Sequence, residues 1–157
     1  MTVQVAVCGP ADCTEVDRLA AFRVGELLAA RGAVVLCGGG TGVMAAVAAG
    51  ARAGGGLAVG VLPGASRADA APDLSAALAT NLGQARNAIL VQSADAVIVV
   101  GGSWGTLSEL ALALAMRRGG IPVVTLNGWR VLDAGGLPVP GPVAAATPEE
   151  AVALALG

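Results

Sequence analysis

The chain has 157 residues, a formal charge of −2, and a composition that is 55% hydrophobic and only 13% charged. It contains no His and no Tyr, and all 9 residues in the Lys+Arg count are Arg, so there is no Lys. A Ser-His-Asp or Cys-His catalytic set and a lysine Schiff base are therefore excluded, and the acidic balance argues against long nucleic acid as a partner.

The length suits one domain, here 1–157, with a core built largely from Ala and Val because there are one Phe and two Trp. Val3 to Val7 reads as a strand, and Thr14 to Ala30 as a helix capped by Asp12 with Glu15 three residues on. Val34 to Cys37 is a second strand, Gly42 to Ala53 a thin Ala-rich helix, and Leu57 to Leu62 a third strand. Pro63 to Ala77 lacks periodicity and reads as a loop, followed by a short strand at Leu78 to Thr80. Leu82 to Ser93 is a helix with Thr80 or Asn81 as its cap. Ala96 to Val100 is a continuous apolar run, as a central parallel strand requires. Leu107 to Arg118 is a helix with Arg117 and Arg118 on its last turn and Gly119 past its end. Pro122 to Leu126 is another strand, and Thr147-Pro148-Glu149-Glu150 opens a final helix with cap, proline and glutamate in their preferred places. This alternation predicts an α/β, Rossmann-like doubly wound fold: a mostly parallel sheet with helices on both faces, in three layers. Ligands in such sheets bind at the carboxyl ends of the strands.

The longest uncharged run, Gly32 to Ala51, carries Gly38-Gly39-Gly40-Thr41-Gly42 in its middle, which a spanning helix disfavours. No basic segment followed by an apolar stretch opens the chain, so a soluble cytoplasmic protein is expected. Cys8, Cys13 and Cys37 lack metal-ligand spacing, and Cys8 and Cys37 read as buried free thiols; no metal is expected.

Two glycine clusters follow strands and open helices. In Gly38-Gly39-Gly40-Thr41-Gly42, glycines let several N–H groups converge at the positive end of a helix dipole, which makes a phosphate site. The lysine of a Walker loop is missing, and no acid follows at dinucleotide spacing. The second cluster is Gly101-Gly102-Ser103-Trp104-Gly105-Thr106, and a second anion-cradling turn beside the first suits a ligand with phosphate and sugar. Trp104 either stacks on a ligand ring or covers the sheet edge. Glu109 has two readings as well: the acid of a Thr106-x-x-Glu109 capping box, or a carboxylate facing a ligand. Arg86, with Asn87, is a bidentate phosphate partner or a solvated helix charge.

Taken in this order, Gly38 to Met44, Arg86-Asn87 and Gly102 to Glu109 resemble the LOG family, whose relatives include molybdenum-cofactor carrier proteins. The resemblance covers about residues 3–127. It implies a Rossmann-like fold, a homodimer or homotetramer, and cleavage of the N-glycosidic bond of nucleoside 5′-monophosphates, with Arg86 and Glu109 as the catalytic pair. The family's frequent label, lysine decarboxylase, is rejected on composition. The chain also departs from the family motif: Gly101 stands for a proline, Ser103 for a glycine, Asn87 for a lysine and Ser108 for a glutamate. These departures keep the phosphate frame, thin out the polar neighbours, and bring the chain nearer to the short bacterial relatives and the cofactor carriers.

The leading expectation is thus a binding protein for a phosphorylated small molecule held between the two glycine turns. That ligand is a nucleotide monophosphate or a pterin such as molybdenum cofactor, with no cofactor required. The alternatives are a phosphoribohydrolase, in which carboxylate and guanidinium suffice without histidine, and a structural oligomer packed through Leu107 to Met116.

Overall fold

The structure, a computed structural model, describes residues 1–116 and 120–157. The chain runs β1 (Gln4–Cys8), α1 (Glu15–Ala30), β2 (Val34–Cys37), α2 (Val43–Ala53), β3 (Ala58–Leu62), β4 (Ala76–Ala79) and a 3-10 turn (Gly83–Ala85). It continues through α3 (Arg86–Gln92), β5 (Ala96–Val100), α4 (Trp104–Met116), β6 (Val123–Leu126), β7 (Pro142–Ala145) and α5 (Pro148–Leu156). The expected positions of Arg117, Arg118 and Gly119 lie outside the described residues.

All seven strands form one parallel sheet in the order β4-β3-β2-β1-β5-β6-β7. The chain winds outward from β1 to β4, then returns to the other side of β1 to lay down β5, β6 and β7. The switch point is therefore between β1 and β5, whose registers pair Val5 with Ala96 and Cys8 with Val99. Alternation along the strands divides the core in two. Ala96, Ile98 and Val100 of β5 pack with α1, α2 and α5, while Val97 and Val99 pack with α3 and α4. Each fully buried Val, Leu or Ile contributes roughly 1.5–3 kcal/mol, so continuous burial of β5 anchors the middle of the sheet.

Several boundaries differ from the sequence expectation for local reasons. The cap of α1 is Thr14, not Asp12; its hydroxyl accepts from the Asp17 N–H at 3.1 Å. Neither Thr80 nor Asn81 caps α3: the Thr80 hydroxyl donates to the Leu62 carbonyl at 2.7 Å, and the helix enters through the 3-10 turn. β4 begins two residues before the expected strand and ends one residue short of it. β7 is not anticipated by the sequence reading at all. Both are short edge strands with no buried residue, and both are Ala-rich, so they carry neither the alternation nor the β-branched run that marks a strand. β7 also starts with Pro142, which an edge strand tolerates. The last helix is as expected, with Thr147 accepting from the Glu150 N–H at 3.1 Å and the Glu150 carboxylate accepting from the Ala146 N–H at 2.7 Å. None of the described helices is long and apolar enough to cross a membrane.

Candidate ligand-binding site

The turn between β2 and α2 is open. Gly42, at the helix cap, has φ 63° and ψ −127°, and a Cβ there would collide with the carbonyl oxygens of Pro10 and Ala11. Only glycine permits this approach, which lets the Val43 N–H donate to the Pro10 carbonyl at 3.0 Å. No side chain caps α2. The Thr41 hydroxyl is turned away to donate to the Ala11 carbonyl at 3.2 Å. Among the described residues, the N–H groups of Gly40, Thr41 and Gly42 make no backbone hydrogen bond. They add to the free donors of the first helical turn and to the positive end of its dipole.

Arg86 stands beside this turn, 8% exposed at the start of α3. Its Nη1 donates to the carbonyls of Gly38 at 2.8 Å and Val61 at 2.7 Å, tying together the ends of β2 and β3. A Cβ on Gly38 would strike that nitrogen, so the glycine makes room for the guanidinium. The Nε is buried with no partner among the described residues. Asn87 is buried too; its amide donates to the Gln84 side chain at 3.3 Å, and its Oδ1 has no partner among the described residues. A cavity of about 360 Å³ brings Gly38, Gly40, Thr41, Met44 and Arg86 together with Pro63, Gly64, Ser66 and Asp69; Asn87 and Gly42 do not line it.

The turn between β5 and α4 is partly closed from within, although the N–H groups of Gly102, Trp104 and Gly105 make no hydrogen bond among the described residues. α4 begins at Trp104, three residues before the expected start, which makes Ser103 its cap. The Ser103 hydroxyl accepts from the Thr106 N–H at 3.2 Å, and the Thr106 hydroxyl accepts from the Ser103 N–H. That reciprocal pair is the capping box, so the Thr106–Glu109 box is corrected. Among the described residues no hydrogen bond reaches the Glu109 carboxylate, and the residue is 7% exposed behind the turn. Burial pushes its pKa up to about 7, and the Arg86 charge opposes that rise. Cys8 and Cys37 are buried free thiols, as expected, and burial raises both, Cys37 to about 11; this suits packing rather than nucleophilic attack.

Trp104 is 80% exposed and packs its ring against Trp129, with centroids 5.4 Å apart at 37°. The indole N–H of Trp129 donates to the Ser103 carbonyl at 2.9 Å. Gly102 opens to a separate cleft of about 510 Å³, lined also by Thr14, Asp17 and the segment Asn127 to Arg130. The predicted residues are thus divided. Gly38, Gly40, Thr41 and Arg86 share one cavity and Gly102 lines the other, while Ser103 and Thr106 bond to each other. Glu109 lines neither cavity. The sequence reading overlooks Asp17, Asp69 and Trp129. Trp129 could have been found as one of two tryptophans, just past a strand's carboxyl end; Asp17 gives no such signal, because an acid in a first helical turn is ordinary.

A parallel sheet with its glycine turns beside the switch point defines a Rossmann-like ligand-binding fold. The model of the SLOG cluster4 family matches residues 2–148, and the chain belongs to that family. It is 42% identical over 154 residues to an uncharacterized protein of Archaeoglobus fulgidus, covering 96% of this chain and 92% of that one. Among solved structures it is similar to the molybdenum cofactor binding protein of Rippkaea orientalis, with TM-score 0.86, 33% identity, and 98% and 95% of the two chains covered. It is also similar to the molybdenum cofactor carrier protein of Chlamydomonas reinhardtii, with TM-score 0.81, 32% identity and the same coverage.

Proposed function

We propose that this protein binds a phosphorylated pterin or nucleotide, in the manner of a molybdenum cofactor carrier, with the phosphate at the α2 turn. The observation that carries this reading is the set of unpaired N–H groups at Gly40, Thr41 and Gly42, at an uncapped helix start beside a buried guanidinium that is only partly bonded. Phosphate oxygens satisfy such donors, and Arg86 supplies the countercharge. The likeness to two molybdenum cofactor proteins over nearly their whole length favours a pterin. The phosphoribohydrolase reading is weaker because Glu109 lines neither cavity, although its freedom from capping leaves it available for chemistry.

Calorimetric titration of inorganic pyrophosphate tests the reading. Arg86→Gln should weaken binding by roughly 10–100-fold, the range expected for lost charged hydrogen bonds. Arg86→Lys, which keeps the charge but not the fork, should fall between the two. Unchanged affinity in both folded variants would overturn the proposal. Incubation with AMP should release no adenine, and release abolished by Glu109→Gln would install the hydrolase instead.

A further inference from the structure

The second cleft carries an observation that phosphate binding does not use. Asp17 is 7% exposed, yet its carboxylate lines the open space and accepts no hydrogen bond among the described residues. Its place is built: a Cβ on Gly101 would stand 2.8 Å from its Oδ2, so glycine at 101 makes the room. Beside it Trp129 is held in one orientation by its bond to the Ser103 carbonyl. Gly128 presses against the Gly101 backbone and brings that loop onto the β5 turn.

We propose that Asp17 and Trp129 form a ring-reading site for the 2-amino-4-oxopyrimidine edge shared by guanine and pterin. A carboxylate offers acceptor oxygens, and leaving one unpaired in a mostly buried place is costly, so it calls for two parallel N–H donors. The ring N–H and exocyclic amine of that heterocycle supply them bidentately, while its flat face rests on the indole. Adenine turns one amine and a ring acceptor to the same place, and the acceptor meets the carboxylate with repulsion. A cationic guanidinium ligand is disfavoured by Arg130 on the cleft wall. Ala11 lines the phosphate cavity and Thr14 this cleft, so one short stretch of chain separates the two walls. The inference rests on the phosphate reading only in assigning both halves to one ligand.

The test uses ligands without phosphate. The chain has no Tyr, and its two Trp are Trp104 and Trp129, so intrinsic fluorescence reports this cleft directly. Guanosine and free pterin should perturb the emission, with inosine, which lacks the amine, and adenosine binding at least tenfold more weakly. Asp17→Asn should lower guanosine affinity by roughly 10–100-fold, towards the inosine level, with the fold checked by its melting temperature. Trp129→Ala should weaken every heterocycle alike. Equal binding of guanosine and inosine, no response to guanosine or pterin, or a preference that survives Asp17→Asn overturns the assignment. Whichever of guanosine and pterin binds more tightly identifies the natural ring. Pyrophosphate binding is measured separately by calorimetry, so failure of one half-site is distinguished from failure of the other.

Discussion

The α2 and α4 turns look alike in sequence, each a glycine cluster between a parallel strand and a helix, yet only the α4 turn satisfies some of its donors with its own side chains. At α4, the hydroxyls of Ser103 and Thr106 close on each other's N–H groups. At α2, the first turn is Val43, Met44 and Ala45, which have no side-chain acceptor for those groups, and the one nearby hydroxyl, Thr41, points elsewhere. Glycine content therefore does not make an anion site. What decides is whether the helix start holds a hydroxyl or carboxylate that satisfies it from within.

Replacing the glycine that holds the open turn should do most to erase the difference between the two turns. Gly42→Ala places a Cβ against two carbonyl oxygens at φ 63°, where an L side chain is strained. It should cost about 3 kcal/mol or more in urea unfolding and remove pyrophosphate binding from the folded fraction. A cost under roughly 1 kcal/mol with binding intact would mean the turn relaxes easily and that its geometry is not the site.

Glu109, left out of the α4 cap, makes stability depend on pH. Its pKa rises from 4.5 to about 7 on folding because burial disfavours the anion. The folded state then holds the proton more tightly than the unfolded one. This contribution to stability is fully present below about pH 4.5 and is lost as pH rises through 7. Glu109→Gln should abolish that decline, with a difference of up to about 3 kcal/mol between the two ends of the window. Were Glu109 the capping acid instead, its pKa would be lowered and the wild-type trend would run the other way, so melting curves across this range discriminate the two.

Much of the fold is legible because a doubly wound sheet writes its interior strands plainly. Ala96 to Val100 is apolar throughout, since both of its faces are covered, and its boundaries match the sequence expectation. Those of Val34 to Cys37 match as well. The edges are less readable because Ala76–Ala79 and Pro142–Ala145 are apolar but Ala-rich, with no alternation and few β-branched residues to separate a strand from a loop or helix. The first turn of α4 is ambiguous in sequence because two overlapping boxes, Ser103 with Thr106 and Thr106 with Glu109, fit the same letters. Only the position of the helix start decides between them. Arg86 stands out as a candidate phosphate partner, but its bonds to Gly38 and Val61 do not, because carbonyl partners carry no side-chain signature. Asp17 is invisible for a similar reason, since its meaning depends on Gly101, far away in sequence.

The smallest expected effect tests the closed turn. Gly105 lies in the first turn of α4, and a Cβ there would meet nothing nearer than the Ser103 hydroxyl at 3.6 Å. Gly105→Ala should therefore be neutral or stabilise by roughly 0.5–1 kcal/mol, the gain from restricting a flexible residue inside a helix. Pyrophosphate affinity should be unchanged, because the donors of this turn are already partly closed by Ser103 and Thr106. If the substitution instead weakened pyrophosphate binding while leaving stability intact, the anion would be at α4, and the capping box would have to open to receive it. The contrast between the two turns would then be one of state rather than of construction.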